Sequence, residues 1–317
     1  MRKFLAALAL YCCAAAGHAA CALSTEPQPR AVVGLQLFHA DDPRSWAWAD
    51  DLNVPWLRIE LRWDWIEPFP GQWDAAYADR VMALASSHRP RKLMVLFNHA
   101  PAWAVLEQDL LPERAVAALS FAVQRHGAQV HAWEIFNEPN LPGYGWPEVG
   151  ESLPESAALY ALTLSAAGSA IRALDAKAFV VSAGLSPQGD PEGFARWMVR
   201  LTPSACYDAL GLHPYGQQGR FAIVQRNVAT LLEQEQRPPK PVWFTEYGTD
   251  RDDERAQLLS ALASERATSP ITFFFTERDF GEWGIGSYGL RRSDGTAKPD
   301  YFAFKRLNPR LRAAAIP

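Results

Sequence analysis

Short runs of apolar, β-branched and aromatic residues alternate with longer amphipathic stretches along most of the chain. The short runs are continuously apolar rather than alternating in polarity, which is typical of strands covered by helices on both faces of a parallel sheet. This pattern predicts eight strands, at residues 31–38, 56–60, 92–98, 132–136, 178–183, 209–213, 241–245 and 271–275.

The amphipathic stretches between these runs predict helices. Eight β/α repeats in 317 residues match the size of an α/β protein with a single (β/α)8 TIM barrel. A doubly wound sheet would require a glycine-rich turn after its first strand, and the sequence has none. The expected helices lie at 74–88, 112–126, 155–174, 191–201, 221–236, 253–266 and 299–307, with a short helix in the first connection, 41–52.

The start of the chain has the features of an export signal. Arg2 and Lys3 provide positive charge, and an apolar run ending in small residues follows them. The run is too short to span a bilayer as a stable helix. We therefore expect a signal peptide at 1–22, one catalytic domain at 23–317, and export to the periplasm or the extracellular space.

The cysteines and the charged residues bear on three questions: a lipid anchor, a disulfide and binding to nucleic acid. Cys21 follows two alanines, as in a lipoprotein site, but His18 stands where an aliphatic residue is preferred, so a lipid anchor is the less favoured interpretation. Cleavage after residue 22 would leave Cys206 as the only cysteine, so no disulfide is expected. It would also remove Arg2 and Lys3, taking the formal net charge from −4 to −6. No basic stripe indicates nucleic acid, and no other segment is expected to span a membrane.

Two of the apolar runs stop abruptly at a polar cluster that contains a glutamate. Residues 133–140 read WEIFNEPN, and residues 242–248 read VWFTEYG. A buried carboxylate is costly unless it is paired or hydrogen-bonded, and the C-terminal ends of barrel strands are where TIM-barrel active sites lie. Two such glutamates, Glu138 and Glu246, predict the carboxylate pair of a glycosidase.

Most of the other predicted strands also end in polar or aromatic side chains, whereas the opposite end of the barrel shows no comparable set. We therefore expect these side chains to converge on one mouth. They are His39, Arg58, Glu60, Asn98, His99, Trp103, Asn137, His213, Tyr215, Glu277 and Trp283.

These motifs resemble those of clan A glycoside hydrolases, barrel enzymes with an acid/base glutamate on strand 4 and a nucleophilic glutamate on strand 7. Asn-Glu-Pro at 137–139 matches the first motif, and Glu246 in FTEYG matches the second. Arg58 matches the strand 2 arginine that holds the nucleophile, and His-Pro-Tyr at 213–215 matches the strand 6 pattern. The stretch 62–74, RWDWIEPFPGQWD, resembles the second loop of glycoside hydrolase family 39.

The resemblance extends from about residue 31 to residue 308 and implies hydrolysis of O-glycosyl bonds with retention. It implies that Glu138 protonates the leaving oxygen while Glu246 attacks the anomeric carbon, and that Glu138 then activates water. Arg58 would keep Glu246 ionised, and Asn137 would bind the sugar 2-hydroxyl.

Each candidate also has a structural alternative. Glu138 could cap the next segment, Glu246 could be only an ion-pair partner of Arg58, and the aromatic and histidine side chains could be core residues. Glu60 or Glu134 is expected in a buried network, and Glu67 is expected to order its loop. The substrate-binding candidates are Arg58, Asn137, His99, His213, Tyr215, Trp103 and Trp283, and Trp63 and Trp65 could also line sugar subsites.

Other classes of site lack their signatures. The seven histidines form no HExxH motif, so neither a metal nor a cofactor is expected, and no G-x-S-x-G elbow is present. The remaining alternatives are a carbohydrate-binding barrel without turnover and a transglycosylase. The substrate is expected to be a β-linked polysaccharide or oligosaccharide, and the single barrel slightly favours endo-acting enzymes.

Overall fold

The computed structural model describes residues 21–89, 91–141, 143–217, 219–281 and 286–313. All eight predicted strands are confirmed, and each pairs in parallel with its neighbours. They are β1 Val32–Leu37, β2 Trp56–Arg62, β3 Lys92–Asn98, β4 Ala132–Ile135, β5 Phe179–Ser182, β6 Leu210–Leu212, β7 Val242–Tyr247 and β8 Ile271–Phe274.

A helix follows each strand on the outside of the sheet. The first connection holds a helix of 10 residues, because Pro43 fits its first turn and the Asp42 side chain accepts a hydrogen bond from the Arg44 backbone N–H. The helices of ten or more residues are α1 Pro43–Leu52, α2 Ala76–Ser87, α3 Leu111–His126, α4 Leu153–Leu174, α5 Pro191–Leu201, α6 Phe221–Gln234, α7 Arg255–Glu265 and α8 Pro299–Ala313, and a short helix at Trp63–Ile66 follows β2 directly.

The strands follow one another around a nearly closed ring, in the order β5-β4-β3-β2-β1-β8-β7-β6. Isolated bridges between Val181 and Ala209 and between Leu185 and Leu212 join the β5 and β6 edges. The interior is narrow at the N-terminal ends of the strands. A Cβ atom on Gly34 would lie 2.6 Å from the Phe273 ring, which explains the glycine in β1. The predicted TIM barrel is confirmed.

Apolar side chains fill the N-terminal end of the barrel interior, which we call the floor. Trp56 and Trp243 meet there edge to face, with ring centroids 5.9 Å apart. The floor cluster comprises Trp56, Met94, Ala132, Phe179, Val181, Ala209, Trp243, Ile271 and Phe273. Because strand side chains alternate between the two faces, the residue two positions beyond Trp56 again points inward, and this residue is Arg58. The layer above the floor therefore begins with a buried charge.

An N-terminal segment lies outside the barrel and is tied to it by a disulfide. Cys21 is bonded to Cys206, so the expectation of a single unpaired cysteine is wrong. That expectation assumed cleavage after residue 22, whereas keeping the disulfide requires that any cleavage leave Cys21 on the chain. A sulfur in a disulfide also cannot carry the thioether of a lipid anchor. Residues 1–20, most of the expected signal peptide, lie outside the described residues.

The same segment makes further contacts beyond the disulfide. The backbone N–H of Ser24 donates to Oδ1 of Asp208 (2.6 Å), and Arg172 donates to the Ala22 carbonyl (2.8 Å). Nε1 of the floor residue Trp243 donates to Oε1 of Gln28 (2.9 Å). The segment is therefore attached to the floor end of the barrel.

Helix α4 is long and apolar enough to cross a membrane by length and composition, which the sequence analysis did not anticipate. Two thirds of its apolar stretch is buried in the protein, as in the core helix of a globular domain. Gly168 shows how closely it packs, because a Cβ atom there would lie 2.0 Å from the Cys206 carbonyl oxygen.

Candidate functional site

A fully buried arginine, Arg58, organises the mouth, the end of the barrel where the strands terminate. Its Nε donates to Oε2 of Glu134 (2.6 Å), its Nη1 to Oε1 of Glu246 (2.6 Å), and its Nη2 to Oδ1 of Asn137 (3.1 Å). Gln36 accepts another hydrogen bond from Nη1. Burial lowers the pKa of Arg58, but the charges and hydrogen bonds of Glu134 and Glu246 raise it by more. The pKa of Arg58 therefore lies above its ordinary value. Arg58 is therefore a permanent cation against Glu246.

An irregularity in β7 presents Glu246 to the barrel interior. The pairing register with β8 shifts between Phe244 and Tyr247, which changes the strict alternation of side chains. Glu246 is 8% exposed, and its Oε2 accepts a hydrogen bond from the Tyr215 hydroxyl (2.8 Å). Burial and the charge of Glu246 hold the pKa of Tyr215 well above its usual value, so Tyr215 remains a donor. Each oxygen of Glu246 thus has a hydrogen-bond donor.

Glu138 lies on the opposite side of the mouth, on a strained backbone. Its φ is +43°, and Phe136 two residues before it has φ +62°. Left-handed conformations of residues other than glycine are uncommon and cluster at functional sites. The Glu138 backbone N–H donates to the Gly184 carbonyl (3.1 Å), which fixes the turn that follows β4. The Glu138 side chain is thereby directed toward β6.

His213 connects the two glutamates. Its Nδ1 lies 2.7 Å from Oε1 of Glu138 and 3.6 Å from Oε2 of Glu246, so these two oxygens cannot be more than about 6.3 Å apart. Its Nε2 lies 3.1 Å from Oγ1 of Thr245. Burial of the ring lowers the pKa of His213, but the charges of Glu246 and Glu138 outweigh it, and the pKa is raised above its ordinary value.

Asn137 joins this cluster through both ends of its amide. Its Oδ1 accepts from Arg58, and its Nδ2 donates to the Tyr144 carbonyl (3.1 Å). Arg58, Asn137, Glu138, His213, Tyr215 and Glu246 are thus brought together in one hydrogen-bonded network, as the sequence predicted for the mouth. Within the described residues, no group of three or more His, Cys, Asp or Glu side chains forms a metal site.

A second polar cluster lies beside this network on β2 and β3. Oε1 of Glu60 accepts from Nδ2 of Asn98 (2.8 Å) and lies 3.2 Å from Nε2 of His99. Burial would raise the pKa of Glu60, but the hydrogen bond and charge of His99 lower it below its ordinary value. Both Glu60 and His99 remain partly exposed, so either can reach a ligand in the mouth.

The tryptophan candidates occupy different positions. The Trp103 indole donates to the Glu67 carbonyl (3.1 Å), and its ring packs edge to face on Trp63, which is fully buried. Glu67 accepts hydrogen bonds from Trp63 and Gly71 and so orders its loop. Trp65 is 46% exposed, and Trp283 lies outside the described residues.

Glu277, which follows β8, binds the two residues after β1 rather than the glutamate pair. It accepts hydrogen bonds from the backbone N–H groups of Phe38 and His39 (2.9 and 3.0 Å), and it lies 2.9 Å from Nδ1 of His39. Glu277 therefore holds His39 at the mouth and does not itself face the network.

Three residues at the site were missed by sequence reasoning. Gln36 contacts Arg58, and its inward position in β1 was the available signal. The rings of Phe275 and Tyr288 lie 6.4 and 5.9 Å from the Tyr215 ring. Burial raises the pKa of Tyr288, and the charges of Asp250, Glu246 and Glu138 raise it further. Tyr288 stands in a loop without periodicity, so no pattern indicated it.

The fold and this carboxylate pair define the class, a (β/α)8 barrel with two glutamates facing each other at the mouth. No protein-family model and no curated protein sequence matches the chain. Solved structures do match. A family 39 glycoside hydrolase from Bacteroides cellulosilyticus WH2 is 18% identical, with a TM-score of 0.66 over 88% of this chain. The chain covers only 64% of that protein.

This chain covers a larger share of two other proteins whose solved structures match it. A monomeric β-xylosidase from Caulobacter crescentus CB15 is 19% identical, with a TM-score of 0.66 over 92% of this chain and 69% of that one. An endo-1,4-β-mannanase from Rhizomucor miehei is 14% identical, with a TM-score of 0.66 over 93% of this chain and 99% of that one. The likeness confirms, at the level of fold, the expected resemblance to barrel glycoside hydrolases.

Proposed function

We propose that the protein is a retaining glycoside hydrolase that cleaves β-linked polysaccharide or oligosaccharide by double displacement. Glu246 is the nucleophile, because Arg58 and Tyr215 donate hydrogen bonds to its two oxygens and hold the carboxylate at the mouth. Glu138 is the acid/base, because it faces Glu246 across the mouth. Asn137, held by Arg58, is placed to bind the sugar hydroxyl next to the anomeric carbon.

The observation that carries the proposal is the position of His213 between the two glutamates. The limit of about 6.3 Å between their nearer oxygens, set by the 2.7 and 3.6 Å contacts, agrees with the roughly 5–5.5 Å of retaining enzymes. Inverting enzymes need about 6.5–9.5 Å to admit a water molecule. Both glutamates are present, which favours turnover over a barrel that only binds carbohydrate.

The reaction then follows from the contacts of each residue. Glu138 protonates the leaving oxygen while ionised Glu246 attacks the anomeric carbon, which forms a covalent glycosyl-enzyme. Glu138, now ionised, takes a proton from water, and the resulting attack releases the sugar. The raised pKa of His213 favours its protonated form beside Glu138, which would stabilise Glu138 at the step in which it is an anion.

The proposed substrate class and location rest on weaker grounds. The matching structures include a β-xylosidase, an endo-1,4-β-mannanase and a β-glucosidase, and this variety supports a β-linked substrate without favouring one sugar. We propose an exported enzyme, because the Cys21–Cys206 disulfide belongs to an oxidising compartment.

Stereochemistry tests the proposal directly. The purified protein is screened with aryl β-glycosides and with plant and bacterial β-linked polysaccharides, and the first product is followed by proton NMR. We expect the β-anomer to appear first, and a 2-deoxy-2-fluoro glycoside to add its glycosyl mass to a peptide containing Glu246. Initial formation of the α-anomer would overturn retention. Products longer than the substrate would indicate transglycosylation.

A further inference from the structure

Two buried cations, Lys298 and Arg255, bind the loop that follows β8. Lys298 Nζ donates to the Ser287 carbonyl (3.0 Å) and to the Ser287 hydroxyl (2.6 Å). Arg255, at the start of α7, donates to the carbonyls of Ser287 and Tyr288, the latter at 2.8 Å. Lys298 is 2% exposed and Arg255 is fully buried. Both cations therefore converge on two consecutive peptide groups of a mouth loop.

Carboxylates complete the charge balance of these cations. Asp279 lies 2.9 Å from Lys298, and its Oδ1 accepts the Gly289 backbone N–H (2.8 Å). Asp252 lies 2.7 Å from Arg255 and accepts from the Ser287 hydroxyl (3.0 Å). Buried charges are retained only where such partners satisfy them. The arrangement fixes residues 287–289 from the side away from the mouth.

The loop carries Tyr288 into the site. Its ring packs edge to face on Phe275 (5.4 Å) and on Tyr215 (5.9 Å), and the Tyr215 hydroxyl donates to Glu246. Tyr288 remains partly exposed, so one side of it is open to a ligand beside Glu246.

We infer that Tyr288 contacts the sugar ring bound beside Glu246, and that Lys298 and Arg255 are positioning residues that act through Tyr288. This inference rests on the proposed glycosidase activity. The two cations fix the position of the Tyr288 backbone. The Tyr288 ring then forms one wall of the sugar site and packs on the Tyr215 ring, whose hydroxyl binds Glu246. A displacement of about 1 Å at such a position costs up to roughly 100-fold in rate.

A double-mutant cycle tests the inference. The value of kcat/KM is measured with the aryl β-glycoside that the wild-type protein cleaves fastest, for Tyr288→Ala, Lys298→Met and the double variant. We expect each single variant to lose about 10- to 100-fold in kcat/KM, mainly in kcat. The double variant should be within about twofold of Tyr288→Ala, because Lys298 acts through that side chain.

Two further variants make the result decisive. Lys305→Met removes an exposed lysine of α8 that pairs with Asp51 of α1 rather than with the loop, and it should leave kcat/KM unchanged. Ser287→Ala removes the hydroxyl contacts with Lys298 and Asp252 but keeps both cations, and it replaces Lys298→Met in the cycle if that variant does not fold. The inference would be overturned if the two losses in kcat/KM multiplied in the double variant. It would also be overturned if Lys298→Met lowered the Tm and left kcat/KM unchanged. Absence of turnover in the wild-type protein would instead overturn the proposed function.

Discussion

The floor and the mouth of the barrel are built by the same strands with opposite chemistry. In β2, Trp56 packs in the apolar floor, and Arg58 two residues later binds two carboxylates. In β4, Ala132 belongs to the floor, and Glu134 two residues later contacts Arg58. A single step of the strand repeat, about 7 Å, separates the two environments. The floor supplies stability through burial, and the mouth holds charges that only their mutual contacts make tolerable.

The largest expected effect is at the mouth. Glu246→Ala should lower kcat on the order of ten-thousand-fold or more, as loss of a covalent nucleophile does elsewhere. Its Tm should stay near the wild-type value, because Glu134 still pairs with Arg58. Added azide should then yield the α-glycosyl azide, identified by NMR. Asp253→Ala, which removes an exposed carboxylate beyond β7, is the control. Near-normal turnover by Glu246→Ala would remove it from the nucleophile role.

The next effect separates the two glutamates. Glu138→Gln should slow glycosides with poor leaving groups by about 100- to 10,000-fold, and activated aryl glycosides far less, because only the former need a proton. The measurement is kcat/KM for both substrate types with the wild-type protein and with Glu138→Gln. An equal loss on both substrate types would mean that another group is the acid, and His213 is the nearest.

At the floor, the expected change is in stability rather than in rate. Trp243→Ala should lower the free energy of unfolding by about 3–5 kcal/mol, because a fully buried aromatic side chain leaves a cavity. Below the unfolding temperature, its kcat should equal that of the wild-type protein. Trp197→Ala on the exposed face of α5 should change the unfolding free energy by less than about 0.5 kcal/mol. A large kcat loss in Trp243→Ala would show that the two ends are coupled.

The smallest effect contrasts two histidines. His213 at the mouth has a raised pKa, so its contribution to stability is complete below about pH 6.5 and is lost as pH rises through the higher folded value. His131, whose ring lies 6.0 Å from that of the floor residue Trp56, has a pKa lowered by burial and by Lys92, so stability is lost as pH falls below about 6.5. Urea unfolding of His213→Gln and His131→Gln between pH 5 and 8 should give opposite slopes relative to wild type. Equal slopes would contradict the comparison.

The sequence predicted the barrel well because every strand is a continuous apolar run, and such runs have few alternative uses. It also predicted the two glutamates and Arg58, because each interrupts a run at a fixed place. Glu134 could not be separated from Glu60 in advance, since both interrupt a strand in the same way. Only the barrel geometry brings Glu134 onto Arg58 and leaves Glu60 with His99.

Contacts between distant loops were beyond sequence reasoning. Tyr288 depends on Lys298 and Arg255, which lie in different segments and look like ordinary surface cations in the sequence. The Cys21–Cys206 bond joins residues 185 positions apart, and an assumed cleavage site hid it. In both cases, the determining interaction forms only after the β/α repeats have assembled.

The disulfide also divides the barrel into a closed ring and an open arm. Residues 21–206 contain β1 to β5 with their helices, and β6 to β8 follow outside the ring. Glu138 and Arg58 therefore belong to the ring, and Glu246, His213 and Tyr215 belong to the arm. The bond cannot form before five repeats have been synthesised, and Glu138 and Glu246 come together only when the arm closes the barrel against the ring. An oxidised, unfolded chain thus keeps the two halves of the proposed active site in topologically distinct parts.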